Sequence, residues 1–293
     1  MGLLRAIVLG IVQGVTEFLP ISSTAHLRIV PELLGWPDAG AAYTAMIQLG
    51  TVAAVMVYFW RDLVRLTQAW VQGVLHGTPF RTLESRLAWF VLVGTLPIGI
   101  LGLTFKHHIE TSLRSLYVIA FAMVGLAVVL LLAERIAQHR RTLKEMGWGD
   151  AIVIGLCQAV ALIPGSSRSG TTLTGGLALG FRREDAARYS FLLSIPATAA
   201  AGIFEMRHLV RSGEPFTGPD VLVGTLVAFV TGLLAIAWLL RFLRTRSTLV
   251  FVVYRFALGA LLLVLLASGR LSPQPAGTPA SHAERTSSVP DRE

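Results

Sequence analysis

One broken, partly polar segment occurs twice in this chain, and that duplication limits the possible folds more than any other feature. Ala6-Ile7-Val8-x-Gly10-x-x-Gln13 reappears as Ala151-Ile152-Val153-x-Gly155-x-x-Gln158, an offset of 145, and Val15 matches Val160 at the same offset. After one deletion, Pro20-x-Ser22-Ser23 lies over Pro164-x-Ser166-Ser167, and Arg61-x-Leu63-Val64 matches Arg207-x-Leu209-Val210 at an offset of 146. Residues 3–19 read as a helix of about 25 Å, short of a ~30 Å hydrocarbon core. Pro20 stops it, and Ser22, Ser23 and Thr24 offer caps for a second short helix through His26. Short, broken and polar at its tip, this unit predicts a re-entrant hairpin.

Outside the two hairpins the chain is apolar. Of 293 residues, 54% are hydrophobic and 14% charged, with a mean hydropathy of +0.65, which marks a polytopic membrane protein. Spanning segments are expected near 41–60, 86–105 and 115–133, and again near 186–204, 221–240 and 249–268. Three spans per half is odd, and a re-entrant hairpin does not change sides, so the second half starts on the opposite side of the membrane. The expected fold is all-α: two inverted-topology repeats, 1–145 and 146–270, each a re-entrant helical hairpin plus three transmembrane helices. Residues 271–293, rich in Pro, Ser, Thr and Ala, read as a disordered tail. No cleavable leader is evident in the apolar N-terminal run, which contains Glu17. With Cys157 the single cysteine, no intrachain disulfide or thiolate cluster can form.

The net charge of +8 is a topology signal, and no nucleic-acid partner is expected. Fourteen loop Arg and Lys residues fall on one face: Arg61, Arg65, Arg81, Arg86, Arg135, Arg140, Arg141, Lys144, Arg182, Arg183, Arg188, Arg241, Arg244 and Arg246. Seven fall on the other: Arg5, Arg28, Lys106, Arg114, Arg207, Arg211 and Arg270. The richer face is expected in the cytoplasm, which leaves both termini outside. Arg255, in the first turns of the last span, is expected near the cytoplasmic interface, where snorkelling would accommodate it.

In the second hairpin, IPGSSRSGTT (Ile163–Thr172) sets Arg168 among Ser166, Ser167, Ser169, Thr171 and Thr172, with Gly165 and Gly170 beside them. An arginine near mid-membrane costs roughly 2.5–3.5 kcal/mol on insertion scales. Hydroxyl donors, close backbone approach and a guanidinium fork together match phosphate oxygens. Helix capping alone would account for the serines and leave the arginine unexplained. In the first hairpin, Gly10, Gln13, Gly14 and Glu17 share one helical stripe, and an intramembrane carboxylate is a functional candidate. Ser23 and His26, three residues apart, share a helix face.

QGVTEFLPISSTAH (Gln13–His26) together with PGSSRSGTT (Pro164–Thr172) resembles the bacitracin-resistance-type undecaprenyl-diphosphate phosphatases of bacterial membranes, over nearly the whole chain up to about residue 268. The resemblance implies hydrolysis of undecaprenyl diphosphate to the monophosphate, recycling the lipid carrier of peptidoglycan and other wall polymers at the bacterial inner membrane, with the catalytic opening to the periplasmic side. It implies that Glu17, Ser23, His26 and Arg168 are catalytic. Gln13, Ser22, Thr24, Ser166, Ser167, Ser169, Gly170 and Thr172 are expected to bind substrate with Arg168. A divalent cation, Mg or Ca, is implied at Glu17. Gln13 stands where many members carry a second glutamate, Ala25 where glycine is frequent, and Arg28 where an apolar residue is usual. The expected partners are a long-chain prenyl diphosphate lipid, the bilayer and, as an open option, a second copy of the chain. Ser23, His26 or a water could attack phosphorus; the spacing leaves all three open. The competing reading is a secondary transporter or flippase of an anionic lipid or phosphate compound, because inverted repeats with broken helices are transporter architecture. A carrier needs a binding arginine but no adjacent acid, hydroxyl and imidazole.

Overall fold

The computed structural model describes residues 2–37, 39–105, 113, 115–212 and 218–271. Its helices are α1 (Leu3–Phe18), α2 (Ser23–Leu33), α3 (Gly40–Tyr58), α4 (Trp60–Leu75), α5 (Leu83–Thr104), α6 (Leu116–Ile136), α7 (Trp148–Val160), α8 (Arg168–Ala178), α9 (Arg183–Ser212), α10 (Pro219–Leu243) and α11 (Leu249–Ala267). Among the described residues the only β pairing is an isolated bridge between Arg141 and Phe181. The protein is a multi-pass membrane protein: α5, α6, α10 and α11 are each long and apolar enough to cross, and α3 with α4 would add a fifth span if that bent pair counts as one. The tail from 272 onward lies outside the described residues, as do Lys106, Arg114 and the side chains of Arg207 and Arg211.

Both hairpins form. α1 starts 145 residues before α7, and α2 starts and ends 145 residues before α8. By their helix starts the two hairpins share one offset, so their capping serines align without the one-residue deletion expected at the tips. Ser22 is the N-cap of α2, with φ 75°, and accepts from the Ala25 N–H; Ser167 is the N-cap of α8, with φ 66°, and accepts from the Gly170 N–H. Capping, which fixes where a helix begins, aligns Ser22 with Ser167; aligning Pro20 with Pro164 displaces the match by one.

The halves exchange contacts. α1 packs on α10, and α7 packs on α5. A Cβ at Gly10 would stand 2.6 Å from the Gly224 carbonyl oxygen, and one at Gly155 would stand 2.6 Å from that of Gly94. Both crossings thus need a residue without a side chain, as close helix approach in lipid requires.

Two expected spans look different. The 41–60 segment ends as α3 at Tyr58, and the chain bends by 70° into α4. α4 is amphipathic: Leu66 and Gly73 are buried, Arg61, Arg65, Trp60 and Leu75 are exposed, and Arg188 reaches Asp62 at 2.7 Å. The 186–204 segment lies in α9, which is not among the helices apolar enough to cross. Its Tyr189, Phe191 and Leu193 are at most 2% exposed, packed by protein in place of lipid. The basic loop after α6 is pinned: Arg141 donates to both oxygens of Asp150, at 2.9 and 2.6 Å, and to the Leu179 carbonyl at 2.9 Å. Arg183 Nε donates to Glu134 at 2.7 Å, and Thr248 donates to the other Glu134 oxygen at 2.8 Å.

Candidate active site

The tips of the two hairpins meet around a cavity of about 260 Å³. Glu17, Ser22, Ser23 and Thr24 line it from the first hairpin, and Ile163, Pro164, Gly165, Ser167 and Arg168 from the second; Gln48 of α3 and Thr198 of α9 complete the polar wall. The sequence builds this locally. Pro20 and Gly165 turn the chain, and α2 and α8 then start with their N-termini at the cavity. First-turn N–H groups have no intrahelical acceptor and carry the positive end of the helix dipole, so two such ends converging favour an anion. The left-handed φ of Ser22 and Ser167 costs of order 1–3 kcal/mol each, strain typical of ligand clamps.

Arg168 pairs with Glu17, joining the two hairpins. The Ser23 hydroxyl donates to the other Glu17 oxygen at 2.7 Å, and Gln13 Nε2 donates to that same oxygen at 3.2 Å and to Thr51 at 3.4 Å. Arg168 Nη1 also reaches the Ser194 carbonyl at 3.4 Å. Removing one partner of a buried pair leaves an uncompensated charge, at a cost of about 3–5 kcal/mol. Each charge thus makes the other tolerable at this depth.

The remaining expected residues divide. Gln13 touches Glu17, while Ser22, Thr24 and Ser167 line the cavity. Ser169 donates to the Leu19 carbonyl at 3.0 Å and lies 3.2 Å from Ser167, so it joins one tip to the other. Gly170 lends its N–H to the Ser167 cap. Thr172 is fully buried; it donates to the Arg168 carbonyl at 2.7 Å and pairs with Ser190, holding the first turn of α8. Ser166 lies on the far side of its tip and lines a different, apolar groove. His26 bonds Ser22 and Tyr254. Its Nδ1 donates to the Ser22 carbonyl at 2.7 Å, so the neutral ring leaves Nε2 to accept from the Tyr254 hydroxyl. Arg28 forms an ion pair with Glu32 at 3.8 Å, one turn on.

Arg255 overturns the expectation of a snorkelling side chain. It is 1% exposed and donates to five carbonyls: Pro20 and Ser166 from Nη1, Gly165 and Ala122 from Nη2, and Met123 from Nε. One guanidinium therefore fastens both tips to α6. Tyr254, Thr51 and Ser194 also escaped the sequence reading, because only the tertiary fold brings α11, α3 and α9 to the tips.

Among the described residues no three His, Cys, Asp or Glu side chains converge. Among the described residues Glu17 is the sole carboxylate lining the cavity. That donor set fits the way magnesium is held with phosphates, by one or two carboxylates and the substrate's own oxygens. The assembled groups can grip a phosphorylated ligand with Arg168 and two helix N-termini, and set a serine hydroxyl against a carboxylate.

Residues 6–261 match the family described as bacitracin resistance protein BacA. The chain is 67% identical over 273 residues to an undecaprenyl-diphosphatase of Myxococcus xanthus (strain DK1622), covering 93% of this chain and 92% of the relative. It is 52% identical over 282 residues to an undecaprenyl-diphosphatase of Chlorobium phaeovibrioides (strain DSM 265 / 1930), covering 93% and 100%. A third relative of that name, from Chlorobaculum tepidum (strain ATCC 49652 / DSM 12025 / NBRC 103806 / TLS), is 50% identical over 284 residues, 93% of this chain and 100% of its own.

Proposed function

The chain belongs to the bacitracin resistance protein BacA family, and we infer from that premise that it hydrolyses undecaprenyl diphosphate to undecaprenyl phosphate and inorganic phosphate, recycling the carrier lipid for the cell wall. The observation that carries the reading is the contact of Ser23 with Glu17 and of Glu17 with Arg168 where two helix N-termini meet. A binding site for a phosphorylated cargo needs the arginine and the N-termini. It does not need a hydroxyl held on a carboxylate.

A diphosphate entering the cavity competes with Glu17 for the Arg168 fork. As the guanidinium turns to phosphate oxygens, Glu17 is left with Ser23 and can take its proton. The Ser23 oxygen then bonds to the terminal phosphorus as the bridging P–O bond breaks, and prenyl monophosphate leaves. Water hydrolyses the phosphoserine, and inorganic phosphate departs. Arg168 and the N–H groups stabilise the charge spread over the transferring phosphoryl oxygens. His26 makes its own contacts with Ser22 and Tyr254, which favours Ser23 over it as nucleophile. A divalent cation would be held by Glu17 with the substrate's own oxygens, and would neutralise phosphate charge.

The fourteen-charge face lies in the cytoplasm of a bacterial inner-membrane protein, the halves are inverted, and the cavity opens to the periplasm. Purified protein given undecaprenyl diphosphate in detergent should release one inorganic phosphate per monophosphate formed. Movement of the lipid across vesicles with no phosphate release would identify a flippase instead.

A further inference from the structure

Behind the second tip, on the other side of Ile163 from the polar cavity, is an apolar groove of about 400 Å³ between α6 and the end of α7. Val118, Phe121, Gly125 and Val160 line it with Ile163 and Ser166. Ile163, 38% exposed, lines both spaces, so the two adjoin at one side chain. Two further features mark the groove as built. Ser166 is 1% exposed and its Oγ is buried with no hydrogen-bond partner. Gly125 is exposed on this face of α6, and a Cβ there would meet nothing within 4 Å. The walls are also held in register, because Arg255 bonds both the Ala122 carbonyl of α6 and the Gly165 carbonyl of the tip.

We propose that this groove is the subsite for the prenyl chain, which leaves the diphosphate over Ile163 and lies along α6 with Ser166 at the threshold. The proposal rests on the phosphatase reading of the neighbouring cavity. The chemistry matches: an isoprenoid tail needs apolar walls, and Ser166, whose hydroxyl has no partner among the described residues, adds a donor at the edge of this groove for the ester oxygen, an acceptor. A groove of this size is within the range of small-molecule sites. Chain recognition then comes from α6, and phosphate recognition from the two helix N-termini.

The test fills the groove. Gly125→Trp and Gly125→Leu project side chains into this space, while Leu226→Trp places the same indole at an exposed position on α10 outside it. Phosphate release is measured from undecaprenyl diphosphate and from isopentenyl diphosphate, which carries one isoprene unit. Filling the groove should lower kcat/KM for the long substrate at least about tenfold (~1.4 kcal/mol), leave the short one within about twofold, and be more severe for Trp than for Leu. Leu226→Trp should change neither. Retained turnover of the short substrate shows that the variants are folded, and Gly125→Leu decides if the Trp variant does not accumulate. An unchanged long-chain rate, or equal loss on both substrates in the Leu variant, would overturn the subsite. Absence of phosphate from both substrates with wild-type protein would overturn the phosphatase reading instead.

Discussion

Arg168, partly buried, and Arg255, fully buried, are guanidiniums beside the same two tips, and they are occupied in opposite ways. Arg168 faces a cavity and a carboxylate; Arg255 makes all its hydrogen bonds to backbone carbonyls. The first was legible in the sequence, because an arginine between glycines and serines in an apolar run has no cheaper explanation than a ligand. The second was not. A single arginine in the first turns of a span reads as snorkelling, and nothing local shows that its span passes behind both tips. Hydroxyls are harder to read: Thr172, expected at the ligand, bonds the Arg168 carbonyl in the first turn of α8. Replacing Arg255 by Met would leave buried carbonyls without donors, at about 1–3 kcal/mol each. Arg255→Met is therefore expected to lose several kcal/mol and to unfold well below wild type in detergent, with Arg255→Lys in between. A Met variant as thermostable as wild type would show that the carbonyls find other donors.

At the scale of elements, the hairpins were readable because proline, glycine and serine interrupt apolar runs in the same order twice. Their register was not, since it depends on which serine caps. α4 was missed for a different reason: its arginines were counted as loop charges, yet an interfacial helix can carry charge on one face and Trp60 and Leu75 on another. Caps give a direct test. Ser167→Ala removes the acceptor of the Gly170 N–H while keeping a Cβ at φ 66°, so it should destabilise α8 by about 1 kcal/mol. Ser167→Gly loses the same acceptor but relieves the backbone, and should unfold at a higher temperature than the Ala variant. The reverse order would mean that the left-handed cap is not strained.

Across the whole molecule, the two halves supply different chemistry from equivalent places. With a constant offset of 145, Ser23 corresponds to Arg168, the first residue of each second hairpin helix, and Glu17 corresponds to Leu162. Both second helices present their N-termini to the cavity, but one carries a hydroxyl beside an acid and the other a guanidinium. If the halves are inverted with the basic face inside, a reporter active only in the cytoplasm, fused after Glu293, should stay dark; a bright signal would reverse the topology. The contact between the halves is the heart of the proposed catalysis, and a double-mutant cycle on it is decisive. Phosphate release from undecaprenyl diphosphate should fall by on the order of 10³ or more in Glu17→Gln and in Arg168→Lys, and the double variant should be little worse than either, as for groups that act as a unit. Near-wild-type turnover by the lysine variant, or losses that simply multiply, would contradict a site formed by Glu17 and Arg168 together.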